Sequence, residues 1–447
     1  MHKKRYWRLS LPPRLGCVLL SLLGTQLTLG AALPKAPPLI LVSLDGFRAD
    51  YFDRYPCPVL HSLSTSGVRA REMEPVFPSL TFPNHYTMVT GLYPEHHGIV
   101  SNEFFDPQRQ KVFHFKSKSD SIDPEWWSGG EPLWISLRKL NLVANLVYWV
   151  GGLAPHHGMT ANYSEGRFPF ISGEARVDEV LRRIAPTQNH DVAAHFSTLY
   201  LEMVDEAGHS FGPNSPKVAS AIEEVDSLLG RLVSGLQKKN AWASTNVVVV
   251  SDHGMTELSP ARTHLLAPDL QNYPSVKAIG AGALVNLYAP KATLEPLYAT
   301  LLKHRNHYQV WKREEIPERF HYRQSARIGD LVLLADLGWY LLTRPTKPML
   351  HSKKEAAAQR KPSLPMKGAH GYDNENKEMQ ALFVAHGPSF LSGQIIEKLR
   401  TVELYSVLQT ALEQSNLVAT PSPDAQLSKK RELTIFSPTR HIPSPKS

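Results

Sequence analysis

The stretch LILVSLDGF (residues 39–47) decides the fold class of this chain. Its first six positions are almost all apolar and include β-branched residues, which is typical of a strand buried on both faces. The run stops abruptly at Asp45, and Gly46 then favours a turn. We therefore expect a buried strand with a carboxylate at its carboxyl end.

Two later stretches repeat this pattern. FSTLYLEMVDEAGH (residues 196–209) and NVVVVSDHG (residues 246–254) each begin with an apolar run, and we expect the runs to end at Asp205 and Asp252. In an open parallel sheet the ligand crevice lies beyond the carboxyl ends of the strands. The aspartates of all three stretches are therefore expected to converge.

A helix is predicted between the second and third of these strands. Ser215 is a good N-cap, Pro216 suits the first helical position, and apolar residues follow at helical spacing. A strand, a helix and another strand in succession indicate a crossover connection. The predicted fold class is therefore α/β, with a mainly parallel central sheet and helices on both faces.

The first 32 residues resemble a secretory signal peptide, because a basic start precedes a short apolar run and small residues. An uncleaved membrane anchor is the alternative, although the apolar run is short for a bilayer span. Residues 33–418 contain 39 basic and 39 acidic residues, so the net charge of +8 arises in the leader and in the tail. A neutral body argues against binding duplex nucleic acid and leaves small anionic substrates open.

The mature chain keeps a single cysteine, Cys57, because Cys17 lies in the leader. No internal disulfide can then form. An exported protein without a disulfide is compatible with a bacterial periplasm, so we expect a secreted or periplasmic protein, with the periplasm favoured. Cys57 is interpreted as a packing residue rather than a reactive thiol. The oligomeric state cannot be read from the sequence.

Residues 33–418 are predicted to form one catalytic domain. Within it, residues 341–367 are basic and rich in proline, which indicates a loop or an insertion. Residues 419–447 are rich in Ser, Pro and Lys and contain too few apolar residues to offset the entropy of ordering, so we predict a disordered tail. The tail has no hydrophobic terminus and thus no lipid-anchor signal.

The chemically informative side chains are three carboxylates, three imidazoles and one hydroxyl. They lie at predicted strand ends, in the glycine-flanked stretch GAHGYDN (residues 368–374) and in the turn-prone stretch PSLTFPNHYT (residues 78–87): Asp45, Thr81, Asp205, His209, Asp252, His253 and His370. Such ligands suit zinc or a similar first-row ion, and seven exceed what one tetrahedral zinc needs. Two metal ions fit better, and a metal ion beside Thr81 would lower the pKa of its hydroxyl.

Each of these residues has a structural interpretation when it is considered alone. An aspartate at a strand end often caps a helix or stabilises a turn, and a single histidine is more often a packing residue than a ligand. His85 and the pairs His96-His97 and His156-His157 keep that interpretation, so no metal is assigned to them. The joint pattern is what favours a metal centre.

The chain resembles the nucleotide pyrophosphatase/phosphodiesterase family of the alkaline phosphatase superfamily over about residues 38–410. The motifs that carry the resemblance stand in the family's order: LVSLDGFR, FPSLTFPNHYTMVTGLYPEHHGI, LYLEMVDEAGHSFGP, VVVVSDHGM and GAHGYDN. Only a minimal catalytic unit is present, because the cysteine-rich repeats and the nuclease-like domain of the larger animal members are missing.

The resemblance implies two Zn²⁺ ions. Asp205, His209 and His370 would hold one ion, and the other would be held by Asp45, Thr81, Asp252 and His253. Thr81 would be the nucleophile that forms a phosphothreonine ester, and water would then release a nucleoside 5′-monophosphate. Asn102 would bind a non-bridging phosphate oxygen together with the backbone amide of Thr81.

The resemblance also implies a substrate pocket in which Phe82 stacks on the base, with Tyr163 as the opposing ring. Leu80 replaces a lysine that many nucleotide-cleaving members carry, which weakens the case for triphosphates. Two alternatives stay open: a phosphodiesterase for choline-headgroup lipids, which would need an anionic or aromatic cage, and a zinc-stabilised binding protein that has lost catalysis. A sulfatase is disfavoured because Thr81 stands at the nucleophile position.

Overall fold

The computed structural model describes most of the predicted catalytic domain. The described residues are 36–166, 171–184, 192–343, 364, 366–412 and 435–436. The predicted signal peptide, most of the basic segment and most of the tail lie outside these ranges. No helix within them is long and apolar enough to cross a membrane.

An eight-stranded sheet forms the centre of the fold. Its strands are β1 (Leu39–Leu44), β2 (Val68–Glu74), β5 (Ala144–Val147), β6 (Tyr163–Glu165), β7 (Phe196–Leu201), β8 (Asn246–Val250), β17 (Ala381–His386) and β18 (Gln394–Arg400). Their order across the sheet is β18-β2-β17-β8-β1-β7-β5-β6. All run in one direction except β17, which is antiparallel to both of its neighbours. The mainly parallel sheet is thus confirmed.

Within the described ranges, twelve α-helices accompany the strands. They are α1 (Tyr51–Arg54), α2 (Pro58–Thr65), α3 (Thr81–Thr90), α4 (Pro94–His97), α5 (Lys118–Ile122), α6 (Leu133–Lys139), α7 (Gly173–Ile184), α8 (Met203–Phe211), α9 (Pro216–Lys238), α10 (Ala267–Leu270), α11 (Lys291–Lys303) and α12 (Thr401–Ala411). Helix α9 is the predicted crossover, and the Ser215 hydroxyl caps it by accepting from the Val218 amide.

Strand β1 is buried on both faces because its side chains alternate between two cores. Leu39 and Leu41 pack with residues of α3, α6 and α12 on one face. Ile40, Val42 and Leu44 pack with residues of α2, α7 and α9 on the other face. Helices on both faces explain why the strand is apolar at nearly every position.

A smaller antiparallel sheet packs around a third core. The strands outside the central sheet are β3 (Glu103–Asp106), β4 (Lys111–His114), β9 (Thr256–Glu257), β10 (Thr263–Leu265), β11 (Lys277–Ile279), β12 (Leu284–Tyr288), β13 (Tyr308–Lys312), β14 (Leu331–Ala335), β15 (Tyr340–Leu342) and β16 (Gly368–Ala369). The order of the smaller sheet is β11-β12-β14-β13, and the other strands of the described residues form three pairs. The sequence did not indicate this second sheet.

Two segments differ from their predicted description. The segment 341–367 begins inside β15, where Leu341 and Leu342 are buried, so its first residues are strand and not loop. The predicted disordered tail contains Ile435, which is buried in the core, and Phe436, which pairs with Phe390. An apolar pair within a polar segment is enough to form a local contact with the body.

Candidate metal centre and nucleophile

Three neighbouring strands bring the three aspartates together. Strand β1 lies between β7 and β8, and the pairing of β1 with β7 continues to the amide of Asp45, which donates to Leu201 at 2.9 Å. Asp252 follows β8 by two residues. Asp205 lies in the first turn of α8 and not at a strand end as predicted, because the strand stops at Leu201.

Two groups of ligand atoms form at this edge of the sheet. The first group consists of three buried residues, Asp45, Asp252 and His253. The second group consists of Asp205, His209 and His370. In each group, the potential ligand atoms lie within 4.8 Å of one another. The rings of His253 and His370 stack with centroids 3.5 Å apart, so the two groups adjoin.

The three imidazoles are all oriented by backbone carbonyls. The Nδ1 atoms of His209, His253 and His370 lie 2.8, 2.9 and 3.0 Å from the carbonyl oxygens of Gly368, Gly254 and Ser79. A carbonyl can only accept, so each Nδ1 carries a proton, and in the neutral ring the Nε2 atom presents a lone pair. The Nε2 atoms of His209 and His370 are only 3.2 Å apart. Two facing lone pairs at that distance are favourable only with a cation between them.

The three carboxylates, like the imidazoles, are arranged in a way that suits a bound metal ion. One oxygen of each aspartate is buried and has no hydrogen-bond partner among the described residues: Oδ1 of Asp45, Oδ1 of Asp205 and Oδ2 of Asp252. A buried carboxylate oxygen without a donor is costly, and coordination removes that cost. Carboxylate oxygens and imidazole nitrogens are the donors that zinc and related ions accept.

Electrostatics point the same way. Burial raises the pKa of Asp45 well above its ordinary value, and the carboxylates of Asp252 and Asp205 raise it further. Burial lowers the pKa of His370 well below its ordinary value, and His253 and His209 add to that effect. Burial and the neighbouring carboxylates thus disfavour the anionic form of Asp45, and a divalent cation beside it would favour that form again.

Gly46 permits the close approach of α8 to the end of β1. Its φ is +69°, and a Cβ at this position would lie 2.9 Å from both Cα and Cβ of Asp205. The Gly46 amide also donates to Asp252 Oδ1 at 3.1 Å. A glycine is therefore required between the two groups, both by its backbone conformation and by the lack of space.

Thr81 is the first residue of α3, where the helix dipole favours negative charge. Its Oγ1 lies 3.2 Å from His253 Nε2, which places the hydroxyl against the first group. Asn102 is next to it, because the Asn102 Oδ1 accepts from the Phe82 amide at 2.9 Å. This bond turns the Asn102 NH₂ group away from the Phe82 amide and leaves it as a donor.

A second layer of buried groups surrounds these residues, and the sequence did not single it out. The Tyr200 hydroxyl donates to Asp45 Oδ2. His85 bonds Ser43 Oγ at 2.8 Å and the Thr81 carbonyl at 2.9 Å, and lies 3.4 Å from Asp252. Two features of the sequence could have indicated this layer. Thr81 and His85 are four residues apart and therefore lie on one face of a helix, and Ser43 is a hydroxyl residue within an otherwise apolar strand.

An aromatic pocket opens beside the nucleophile. Its walls include Phe82, Phe115, Trp127, Trp149 and the ring of Tyr200. Among the described residues that line it, Lys118 is the charged one and none carries a carboxylate. The pocket suits a flat or apolar group of a substrate whose phosphorus lies at Thr81.

Tyr163 does not reach this pocket. The strand register places it level with Ile40 of β1, five residues before Asp45 and therefore ~16 Å away along the sheet. Its ring packs against the Arg183 guanidinium at 3.5 Å instead. Phe82 does line the pocket, so only one of the two predicted rings lies where stacking on a base would need it.

Comparisons with known proteins agree with this geometry. A model of the type I phosphodiesterase/nucleotide pyrophosphatase family matches residues 39–373. The chain belongs to this family. It is therefore a hydrolase of phosphodiester or pyrophosphate bonds, and members of the family are metal-dependent.

Individual relatives resemble nearly the whole described body. A bis(5'-adenosyl)-triphosphatase of Mus musculus is 35% identical over 84% of this chain and 77% of its own length. An uncharacterized pyrophosphatase/phosphodiesterase of Schizosaccharomyces pombe is 35% identical over 84% and 76%. Among solved structures, murine ectonucleotide pyrophosphatase/phosphodiesterase 5 has a TM-score of 0.79 at 32% identity, covering 90% of this chain and 100% of its own. That structure is an inactive threonine-to-alanine form in complex with AMP.

Proposed function

We propose that this chain is an exported, zinc-dependent nucleotide pyrophosphatase/phosphodiesterase that releases nucleoside 5′-monophosphates through a covalent intermediate on Thr81. One observation carries the proposal: the Thr81 hydroxyl stands at the start of α3, 3.2 Å from His253 and against a buried group of unpartnered carboxylate oxygens. A hydroxyl in that position can be deprotonated and aimed at phosphorus.

The two groups would each hold one ion. Asp45, Asp252 and His253 would share the first with Thr81, and Asp205, His209 and His370 would hold the second. When bound, the first ion would lower the pKa of the Thr81 hydroxyl and the second would neutralise charge on the leaving oxygen. Nitrogen and oxygen donors in sets of three favour zinc, with room left for a substrate atom.

The chain's own residues supply the remaining chemistry. Thr81 Oγ1 loses its proton to solvent and attacks phosphorus in line; the bond from phosphorus to the leaving oxygen breaks on the opposite side, and a phosphothreonine ester remains. The Asn102 NH₂ group donates to a non-bridging oxygen whose negative charge grows in the transition state. Water then attacks phosphorus from the vacated side, the bond to Thr81 Oγ1 breaks, and Oγ1 takes up a proton to restore the hydroxyl. Two inversions give net retention of configuration at phosphorus.

The aromatic pocket favours a nucleotide over a choline headgroup. A flat base can stack against Phe82 and the neighbouring rings. A quaternary ammonium would also contact the rings, but it would meet the Lys118 ammonium and no carboxylate among the described lining residues. The murine relative that binds AMP and is inactive without its threonine supports both the substrate class and the nucleophile.

Substitution of Thr81 tests the proposal. Thr81→Ala should lower the hydrolysis of p-nitrophenyl thymidine 5′-monophosphate by ~10³-fold or more, because the nucleophile is lost. Thr81→Ser, which keeps a hydroxyl, should retain part of the activity. Both variants should keep the metal content of the wild type, measured by elemental analysis.

Thr410→Ala is the matched control, because it removes an exposed threonine hydroxyl from α12. Wild-type activity in Thr81→Ala would remove Thr81 from the mechanism. Faster hydrolysis of p-nitrophenyl phosphocholine than of the nucleotide ester by the wild type would favour the choline alternative. Absence of both activities in the metal-loaded wild type would favour the binding protein.

A further inference from the structure

We infer that Tyr200 is a positioning residue that holds Asp45 in the orientation a metal ion requires, while its ring forms part of the substrate pocket. The inference rests on the proposed function, since it assumes an ion at the group of Asp45, Asp252 and His253. Tyr200 belongs to no ligand group, and its hydroxyl lies directly behind one.

The hydrogen bond from Tyr200 gives the two oxygens of the Asp45 carboxylate different roles. The phenol donates to Oδ2, so that oxygen is satisfied by the protein. Oδ1 has no partner among the described residues and lies 3.5 Å from His253 Nε2, on the side of the ligand group. A carboxylate fixed in this way presents one oxygen to an ion and cannot rotate without breaking the bond to Tyr200.

The two oxygens of Asp252 also differ in their partners, but the hydrogen-bond donor is a backbone amide. Its Oδ1 accepts the Gly46 amide at 3.1 Å, and its Oδ2 is the unpartnered oxygen. Each carboxylate of the group thus accepts one hydrogen bond from the protein, and its other oxygen faces His253 Nε2, at 3.5 Å for Asp45 and at 3.0 Å for Asp252. The donor to Asp252 belongs to the backbone, whereas Tyr200 is a side chain that a substitution can change without altering the main chain.

Tyr200 itself is held on several sides. It pairs with Ser43 in the sheet, two residues before Asp45, and its carbonyl accepts from Arg176 at 2.9 Å. Its ring packs edge-to-face on His85 with centroids 5.2 Å apart. The ring also lines the aromatic pocket. One rigid residue therefore connects the pocket wall to a ligand of the metal group.

The substitution Tyr200→Phe separates the two roles, because it keeps the ring and removes the hydroxyl. Tyr322→Phe is the matched control: Tyr322 is fully buried, and its hydroxyl donates to the Val100 carbonyl rather than to a ligand of either group. Both variants lose one buried hydrogen bond. Comparable losses of thermal stability are expected, so stability alone does not decide the question.

The experiment is a chelator competition on the full-length chain loaded with Co²⁺ or Zn²⁺, followed by elemental analysis and by the visible spectrum of the cobalt form. We expect Tyr200→Phe to bind one of its two ions ~10- to 100-fold more weakly than the wild type and to retain the other. The control should keep both with wild-type affinity. At saturating metal, kcat of Tyr200→Phe should fall while KM stays close to wild type, because the pocket ring remains.

Equal metal affinity and equal cobalt spectra in Tyr200→Phe, Tyr322→Phe and the wild type would overturn the inference while leaving the proposed function intact. Failure of the wild type to bind two ions would instead contradict the proposed function. Loss of both ions together in Tyr200→Phe but not in the control would show a general collapse of the site and would also overturn the selective role of Tyr200.

Discussion

The three histidines of the two candidate metal groups are oriented by the main chain and not by other side chains. Carbonyl oxygens of Gly368, Gly254 and Ser79 accept from the three Nδ1 atoms, so the tautomer of each ring is fixed by the fold itself. Because these carbonyls belong to the backbone, substitution of Gly254 or Ser79 cannot remove the acceptor. Only replacement of an imidazole can remove such a ligand.

Asn102 offers a sharper test at the residue scale. Asn102→Ala should lower kcat by ~10²- to 10³-fold with little change in KM, because its NH₂ group is expected to stabilise charge that develops only in the transition state. Steady-state kinetics on the nucleotide ester, with metal content measured in parallel, check this. The metal content should not change.

Asn102→Asp distinguishes a catalytic donor from a structural acceptor. The aspartate keeps an oxygen that can accept the Phe82 amide, as Asn102 Oδ1 does at 2.9 Å, but it replaces the NH₂ donor with a charged oxygen. Activity should fall at least as far as in Asn102→Ala. Near wild-type activity in the aspartate variant would mean that Asn102 only holds the Phe82 amide.

The sequence predicted the candidate metal ligands, but it did not single out the residues that contact them from behind. Asp45 and Asp252 follow apolar runs, a pattern with a clear physical meaning, and the structure brings them together. Tyr200 and His85 could not be distinguished from packing residues, because a buried polar group reveals its role only through the atom it contacts. Tyr163 could not be placed either, since its distance from the site depends on the register of the edge strand β6.

At the scale of elements, the close packing of α8 against the end of β1 determines where Asp205 and His209 of the second group lie. The stretch that contains Asp205 was predicted to be a strand end, but Glu202 already has helical dihedral angles and the helix starts at Met203. Asp205 and His209 are four residues apart, so they lie on one face of α8. Their helical spacing was readable in the sequence, whereas the closeness of α8 to Gly46 was not.

Gly46→Ala should disrupt this contact. The added Cβ would lie 2.9 Å from Asp205 and would occupy a left-handed backbone conformation. We expect loss of at least one bound ion and of most activity, measured by elemental analysis and by hydrolysis of the nucleotide ester.

Gly158→Ala is the control for the backbone effect, because Gly158 has a φ of +76° and a Cβ there would meet nothing within 4 Å. It should cost about 1–2 kcal/mol of stability while the metal content stays unchanged. If Gly46→Ala retained both ions, contact between the strand end and α8 would not control the second group.

At the scale of the whole molecule, the site joins distant parts of the chain at one edge of the central sheet. Three segments that carry candidate metal ligands follow adjacent parallel strands, and that convergence follows from the α/β pattern of the sequence. His370 comes from a loop after β16, outside the central sheet. The glycine-flanked stretch made His370 a candidate, but no local pattern predicts where the fold places it. The antiparallel strand β17 and the smaller sheet were likewise determined by long-range packing.

The central claim is that Thr81 forms a covalent ester with phosphorus, so the stereochemistry of hydrolysis tests it most directly. A nucleoside phosphorothioate diester of known configuration, hydrolysed in ¹⁸O-labelled water by the metal-loaded chain, would give a chiral product whose configuration phosphorus NMR can assign. Two successive displacements predict net retention. Net inversion would mean that water attacks phosphorus directly, and it would contradict the account.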